Sequence, residues 1–525
     1  MKSTAPIASS VGKPARRRAR PGKICAAIQA RTPAEMMARA EAALRSVKFL
    51  EFRLDSLPRP AAALPTLRQF LARNPAATAI ATCRRTPNGG GFDGSLDQEL
   101  EILRRAARAG CRIVDLEIES AEEAPPAQIE RFRAAITAAG AELLISYHDF
   151  SRTRQLQRAA DRITAFEPSI VKVVSTAQSL ADNLAVLRLI ENHDPSTRIV
   201  SMAMGEEGLP SRILGPREGS LFTFASLKDG EETAPGQVTV STLRSLYRAD
   251  KITSQTRIFG VAGNPIAHSL SPLMQNTAFR CAGVDSILLP LKVRALADLL
   301  TFALELPLSG IAVTMPLKLE ILQHLAQMDP LVQRIGACNT VRIAADGRLS
   351  GYNTDVAGVV RPLERRMRLK GARIALLGAG GAARAAAFGL VEHGAEVFIV
   401  NRTHENAVKL ARAAGAAALR QDKLRRMRFD ALINSTPCGM AGSKEPLPLA
   451  PDELASDLVF DMVYNPMETP LVKLARARGI PVITGAEMFV QQGARQFEIW
   501  TGKAPPETEM RRVVERELRT RSTRA

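Results

Sequence analysis

Eight short apolar runs recur between Lys23 and Leu227 with helix-like text between them, and no other feature limits the fold of this chain so tightly. They are KICAAIQA from Lys23, FLEFRLD from Phe49, TAIATCR from Thr78, RIVDLEI from Arg112, LLISYHDF from Leu143, IVKVVSTA from Ile170, RIVSMAM from Arg198 and LFTFASL from Leu221. Segments such as PAEMMARAEAALRSV and AQIERFRAAITAAG separate them. Short β-branched runs alternating with helices predict strands of a parallel sheet, and eight of them predict a (β/α)8 TIM barrel. Polar residues in or near the strand ends (Glu51, Arg53, Arg84, Glu117, His148, Lys172) should then converge on the face where such barrels carry their sites.

At 525 residues the chain exceeds one hydrophobic core. A polar stretch from about Ala249 to Thr256 precedes a new start, RIFGVAG, which predicts a domain boundary there. The text that follows predicts a small α/β substrate domain over 257–360, completed by 486–525. From Gly371 the order RIALL, GAGGAARAAAFGLVEHG, EVFIVNR predicts a Rossmann β-turn-helix-β unit and a nucleotide domain over 361–485. The barrel takes 23–250. Residues 1–22 hold Arg16, Arg17, Arg18 and Arg20 with no acidic residue before Glu35, which predicts a disordered basic tail.

The net charge is +18, from 71 Lys and Arg against 53 Asp and Glu. That excess suits nucleic acid or small anions. With aromatics at 4% and no recognition helix or RNP motif, carboxylates and phosphates are the expected partners and nucleic acid is not. The longest uncharged stretch, Ile258 to Phe279, contains Asn264, Pro265, His268 and Ser269, so no membrane helix is expected. Six cysteines without a CxxC pair suit a reducing compartment, the cytoplasm, with an organelle as the alternative if the tail is a transit peptide. The six histidines lack metal-ligand spacing, and no metal is expected. The oligomeric state is not set by any of these features.

Lys172 lies within VKVV. Burial there favours the neutral amine, the form that attacks a ketone; the alternative is a strand-end lysine with its amine in solvent. His148 ends the neighbouring run, where an imidazole suits proton transfer or, alternatively, packs as a buried hydrogen-bonded residue. Arg53, Arg84 and Arg212 are the cations expected around a carboxylate, although each alone could be a surface ion pair.

From Lys23 to about Tyr247 the chain resembles type I 3-dehydroquinate dehydratase, through EFRLD, ATCR, VDLE, SYHDF, VKVVSTA, GLPSRIL and TAPGQ in the family's order. The resemblance implies that Lys172 forms an imine with the ring ketone of 3-dehydroquinate. His148 would remove the adjacent proton and return it to the departing hydroxyl, giving 3-dehydroshikimate. Arg212 would hold the substrate carboxylate, and Glu51, Arg53, Arg84, Thr233 and Gln237 would complete the pocket. The family places a glutamate that orients the histidine four residues after the arginine of TCR, and here that position is Asn88. Asparagine accepts a hydrogen bond but brings no charge to an imidazolium, and Glu117 is the candidate replacement.

In the second half, Gly378, Ala379, Gly380, Gly381 and Ala382 follow a strand and open a helix, so the backbone can approach a pyrophosphate. The next strand ends in Asn401, Arg402 and Thr403. An arginine where NAD sites carry an acid favours the 2′-phosphate of NADP; the alternative is a solvated cation. Ser269 and Ser271 stand in a Pro-flanked turn, as carboxylate ligands or as plain turn-formers. TMPLK adds Thr314 and Lys318, ACNTV Asn339, GYNTDVAG Thr354 and Asp355, DMVYNP Tyr464, and EMFVQQGARQ Gln492.

This series, from Arg257 to the C-terminus, resembles shikimate dehydrogenase. The resemblance implies NADPH reduction of 3-dehydroshikimate to shikimate. Lys318 and Asp355 would be the proton-transfer pair, and Ser269, Ser271, Thr314, Asn339, Tyr464 and Gln492 the substrate site. Gly485, the glycine turn and Asn401 to Thr403 would bind NADP(H). A lysine beside a carboxylate is a reasonable proton relay for ketone reduction, with a structural ion pair as the alternative. A last helix from about Glu487 is expected to close a cleft over Asp355. The whole chain thus reads as a bifunctional enzyme, with activity of the dehydrogenase half alone as the alternative.

Overall fold

The eight apolar runs form eight strands: β1 (Ile24–Ile28), β2 (Phe49–Arg53), β3 (Thr78–Thr82), β4 (Ile113–Glu117), β5 (Glu142–His148), β6 (Ile170–Thr176), β7 (Arg198–Met204) and β8 (Thr223–Ala225). This is a computed structural model, and it describes residues 21–524 apart from 442, 444, 445 and 448. The expected disordered tail therefore lies almost wholly outside the described residues. The strands follow the order β7-β6-β5-β4-β3-β2-β1-β8, parallel throughout. Leu221 N–H donates to Ile199 O at 2.8 Å, which brings the start of β8 against β7 and closes the ring. β1, β2 and β4 are buried at every position, because helices cover one face of a parallel barrel and its own interior covers the other. Helix starts are fixed locally. Thr32 accepts from Glu35 N–H ahead of the helix Pro33–Leu44, and Ser95 and Gln98 form a capping box before Leu96–Arg108.

The second half holds two further sheets. β9 (Arg257–Gly263), β10 (Ser286–Lys292), β11 (Leu308–Val313), β12 (Gln327–Met328), β13 (Thr340–Ile343) and β14 (Leu349–Tyr352) form a mixed sheet ordered β10-β9-β11-β13-β14-β12. β15 (Arg373–Leu377), β16 (Glu396–Val400), β17 (Ala417–Ala418), β18 (Ala431–Asn434), β19 (Val459–Asp461) and β20 (Val482–Thr484) form a parallel sheet ordered β17-β16-β15-β18-β19-β20. That is the doubly wound Rossmann order, which opens a crevice at the C-terminal ends of β15 and β18, where the strand order reverses.

The helix Gly485–Thr501 then returns to the mixed sheet, starting two residues before the expected Glu487. Its Trp500 Nε1–H donates to Val341 O at 3.1 Å, and Gln275 Nε2 donates to its Gly493 O at 2.9 Å. Across the boundary between halves, Lys292 Nζ lies 2.8 Å from Glu206 and Arg294 2.8 Å from Glu207, residues just beyond β7. No helix among the described residues is long and apolar enough to cross a membrane.

Candidate active sites

The first cavity lies at the C-terminal ends of the barrel strands and is lined by Glu51, Arg53, Arg84, His148, Lys172, Arg212, Thr233 and Gln237; of the other residues singled out from the sequence, Glu117 stands behind His148 and Asn88 turns away to Ser120, and neither lines it. Alternation puts Glu51 and Arg53 on one face of β2, since side chains two residues apart share a face, while Arg212 comes from the helix Leu209–Glu218 and Thr233 and Gln237 from the segment after β8. Lys172 is 3% exposed, and its amine is not left among valines as the sequence suggested. Nζ donates to Asp115 Oδ2 at 2.8 Å and lies 4.6 Å from the centre of the Phe224 ring. His148 is held at both nitrogens: Nε2 is 3.0 Å from Arg84 Nη2, and Nδ1 is 3.0 Å from Glu117 Oε2. A guanidinium can only donate, so Nε2 carries the lone pair and Nδ1 the proton. Burial, then the Arg84 charge, pushes the imidazole down to about 4 against the opposing pull of Glu117, and Lys172 adds to the depression.

The remaining cations of this cavity differ in their partners. Arg53 makes a two-pronged contact with Asp55, at 3.0 and 2.7 Å. Arg212 is 2% exposed, and its contacts are Pro235 O at 3.2 Å and Met202 Sδ at 3.5 Å, while Nε is buried without a partner. Burial alone pushes it down to about 10. A buried cation with no carboxylate against it among the described residues, facing a cavity, is built to receive an anion.

The second cavity lies between the mixed sheet and the Rossmann sheet, and Ser269, Ser271, Thr314, Lys318, Asn339, Asp355, Tyr464 and Gln492 all line it. Lys318 Nζ donates to Asp355 Oδ2 at 2.6 Å, and Asn339 Nδ2 donates to Asp355 Oδ1 at 2.8 Å. Both carboxylate oxygens are thus fixed, while the ammonium keeps donors for another acceptor. Of the residues expected to meet a nucleotide, Ala382 and Gly485 border this cavity. Gly378, Ala379, Gly380 and Gly381 form the turn between β15 and the helix Gly381–Glu392. A Cβ added at Gly380 or Gly381 meets nothing within 4 Å, and no side chain caps the helix N-terminus. That leaves the cradle a dinucleotide phosphate requires. Asn401 and the exposed Arg402 and Thr403 follow β16 on the neighbouring strand. At Gly485 a Cβ would fall 2.4 Å from Met462 O, so only glycine lets the helix begin there.

Family models match in the same order: type I 3-dehydroquinase over residues 24–254, shikimate dehydrogenase substrate binding domain over 261–341, shikimate/quinate 5-dehydrogenase over 362–441, and shikimate 5′-dehydrogenase C-terminal domain over 485–515. A chloroplastic bifunctional 3-dehydroquinate dehydratase/shikimate dehydrogenase of Arabidopsis thaliana is 33% identical over 93% of this chain and 83% of its own length. The chain belongs to that bifunctional family. The dehydrogenase half is also 42% identical to a shikimate dehydrogenase (NADP(+)) of Methanosarcina acetivorans, over 49% of this chain and 97% of that one. A crystal structure of a Thermus thermophilus shikimate 5-dehydrogenase with NADP(H) and shikimate is 37% identical, covers 50% of this chain and 99% of its own, and superposes with a TM-score of 0.46.

Within this bifunctional framework several site residues escaped the sequence reading. Asp115, the partner of Lys172, stands two residues before Glu117 in VDLE and so on the same strand face, a signal that period-two counting carries. Ser146 Oγ reaches both Asp115 Oδ1, at 2.6 Å, and Glu117 Oε1, at 2.9 Å. Phe150 stacks on His148 with ring centres 5.8 Å apart. Thr354, by contrast, stood out beside Asp355 in GYNTDVAG, and it accepts from Asn339 Nδ2 at 3.0 Å, so the two share that amide. Asn88 was expected to offer His148 an acceptor. Its side chain instead donates to Ser120 Oγ at 3.1 Å, whose hydroxyl donates to Glu99 at 2.7 Å.

Proposed function

We propose that the barrel dehydrates 3-dehydroquinate through an imine at Lys172 and that the second half reduces the resulting 3-dehydroshikimate to shikimate with NADPH. Two separate cavities in one chain, one joining Lys172, His148 and the unpaired Arg212 and the other joining Lys318 and Asp355, carry this reading. In the barrel, Asp115 stands ready to accept the proton that Lys172 sheds before its amine attacks the ketone carbon. Water leaves as the imine forms, with the carboxylate of the substrate on Arg212. Neutral His148, its lone pair on Nε2, takes the adjacent C–H proton while the imine absorbs the electron pair. The imidazolium returns that proton to the departing hydroxyl, and hydrolysis of the product imine frees Lys172.

In the second cavity, Ser269 and Ser271 bind the substrate carboxylate, with Thr314, Asn339, Tyr464 and Gln492 around the ring. Bound at the glycine turn, with its 2′-phosphate on Arg402, NADPH would supply the hydride. Lys318, held by Asp355, gives a proton to the carbonyl oxygen. The working units are 23–250 for the barrel, 257–360 with 486–525 for the substrate domain and 361–485 for the nucleotide domain. The free cysteines suit the cytoplasm.

Borohydride reduction in the presence of 3-dehydroquinate, followed by peptide mapping, tests the first half: the label belongs on Lys172, and a label elsewhere or none at all refutes it. Oxidation of NADPH upon addition of 3-dehydroshikimate tests the second.

A further inference from the structure

His148 needs a negative charge at Nδ1 if it is to accept a proton at Nε2 in a buried site, because Arg84 and Lys172 both oppose an imidazolium there. The turn at 88–89 is the nearest candidate in the sequence, and it does pack on the histidine's own shield: a Cβ at Gly89 would lie 2.7 Å from the Phe150 ring. Yet Asn88 points outward to Ser120. A carboxylate there finds no donor in Ser120, whose hydroxyl gives its one proton to the buried Glu99, and it would leave the Ser120 oxygen to Arg85 Nε alone, at 3.2 Å. The outward pocket fits an amide, and the charge must come from elsewhere.

We propose that Glu117 is the positioning residue for His148, so that its orientation does not depend on a carboxylate at position 88. Its Oε2 receives the imidazole Nδ1–H at 3.0 Å, and its Oε1 receives Arg84 Nε at 2.6 Å. Burial opposes its ionisation, but Arg84, His148 and Lys172 together hold the carboxyl below its usual range, so it stays charged. Ser146 ties it to the other catalytic group. The one hydroxyl proton stands between Glu117 Oε1 and Asp115 Oδ1, and Asp115 in turn holds Lys172. A hydroxyl can give its proton to one carboxylate at a time. Charge gained at His148 or lost at Lys172 therefore changes which carboxylate Ser146 serves, and the two groups feel each other across one buried network.

This inference rests on the imine reading of the barrel, and the test separates the two. In the full chain, wild type, Glu117→Gln, Asn88→Glu and the double variant are compared by borohydride trapping and by the pH dependence of kcat/KM for dehydration. Glu117→Gln still traps the imine at Lys172 but loses on the order of 100-fold in kcat, and its acid limb moves to lower pH because the imidazolium has lost its anion. Asn88→Glu alone changes little, since the position is already served. In the Glu117→Gln background it cannot bond Ser120, turns to His148, and recovers at least about tenfold of the lost rate with the acid limb moving back. If Glu117→Gln alone fails to fold, the double variant decides by itself: recovered turnover supports the proposal and none overturns it. Wild-type rate and pH profile in Glu117→Gln, or a double variant no better than Glu117→Gln, also overturn it. Failure of the wild type to trap any imine would instead refute the dehydratase reading itself.

Discussion

Replacing Arg212 by methionine should stabilise the protein while crippling dehydration. Arg212 is 2% exposed, has no carboxylate against it, and leaves Nε buried and unpaired. Burial lowers it from 12.5 to about 10, and at about 1.4 kcal/mol per pH unit this amounts to a cost on the order of 3 kcal/mol. The sign follows from the direction of the shift. A cation whose folded-state value lies below its unfolded value destabilises the fold at all pH below about 10, neutrality included. An apolar side chain of similar length removes that cost, so the ligand-free barrel of Arg212→Met should gain about 1–3 kcal/mol. The same change removes a charge-assisted contact to the substrate carboxylate worth about 1.5–3 kcal/mol, a fall of roughly 10- to 150-fold in kcat/KM. Urea unfolding of the full chain separates the halves. Trp500, the single tryptophan, packs on Phe259 in the second half and reports that half by fluorescence, whereas circular dichroism reports both. A variant less stable than wild type, or one dehydrating within about threefold of the wild-type rate, refutes the reasoning.

Lys318→Ala should lower kcat for 3-dehydroshikimate reduction by about 10²- to 10⁴-fold and leave dehydration untouched; a rise in KM alone would make Lys318 a binding group only. Because His148 is pushed from 6.5 to about 4, its base form persists as the pH falls. kcat/KM for dehydration should stay level from about pH 7.5 to about pH 5.5 and drop only on approach to about 4, and an acid limb centred at 6.5 contradicts the geometry. Arg402→Ser should raise the KM for NADPH about 10- to 100-fold with little change for NADH, and equal losses for both would remove Arg402 from the 2′-phosphate site.

The barrel was legible because helices outside and packed side chains inside bury both faces of each parallel strand, so its strands read as unbroken apolar runs and each polar interruption stands out. Lys172, His148 and Glu117 could be picked out that way. Which of Asp115 and Glu117 serves Lys172, and the part of Ser146 between them, could not, because those pairings depend on register between strands that are distant in sequence. β4 and β5 pair Glu117 with Ser146, and β5 and β6 pair Ser146 with Lys172, so Ser146 stands laterally between the two. Asp115 and Glu117 are equivalent by composition and face. Register alone separates them: the deeper carboxylate meets the lysine, and the one nearer the mouth meets the histidine two residues beyond Ser146. Asn88 shows the converse case. Its local motif placed it beside the histidine, but the buried Glu99, contributed by a helix that the motif does not contain, sets which way the side chain turns. A substitution that looks like a lost catalytic acid in sequence is in three dimensions the residue that a Ser120–Glu99 pair requires, and the charge it appears to forfeit is already present one strand away on Glu117.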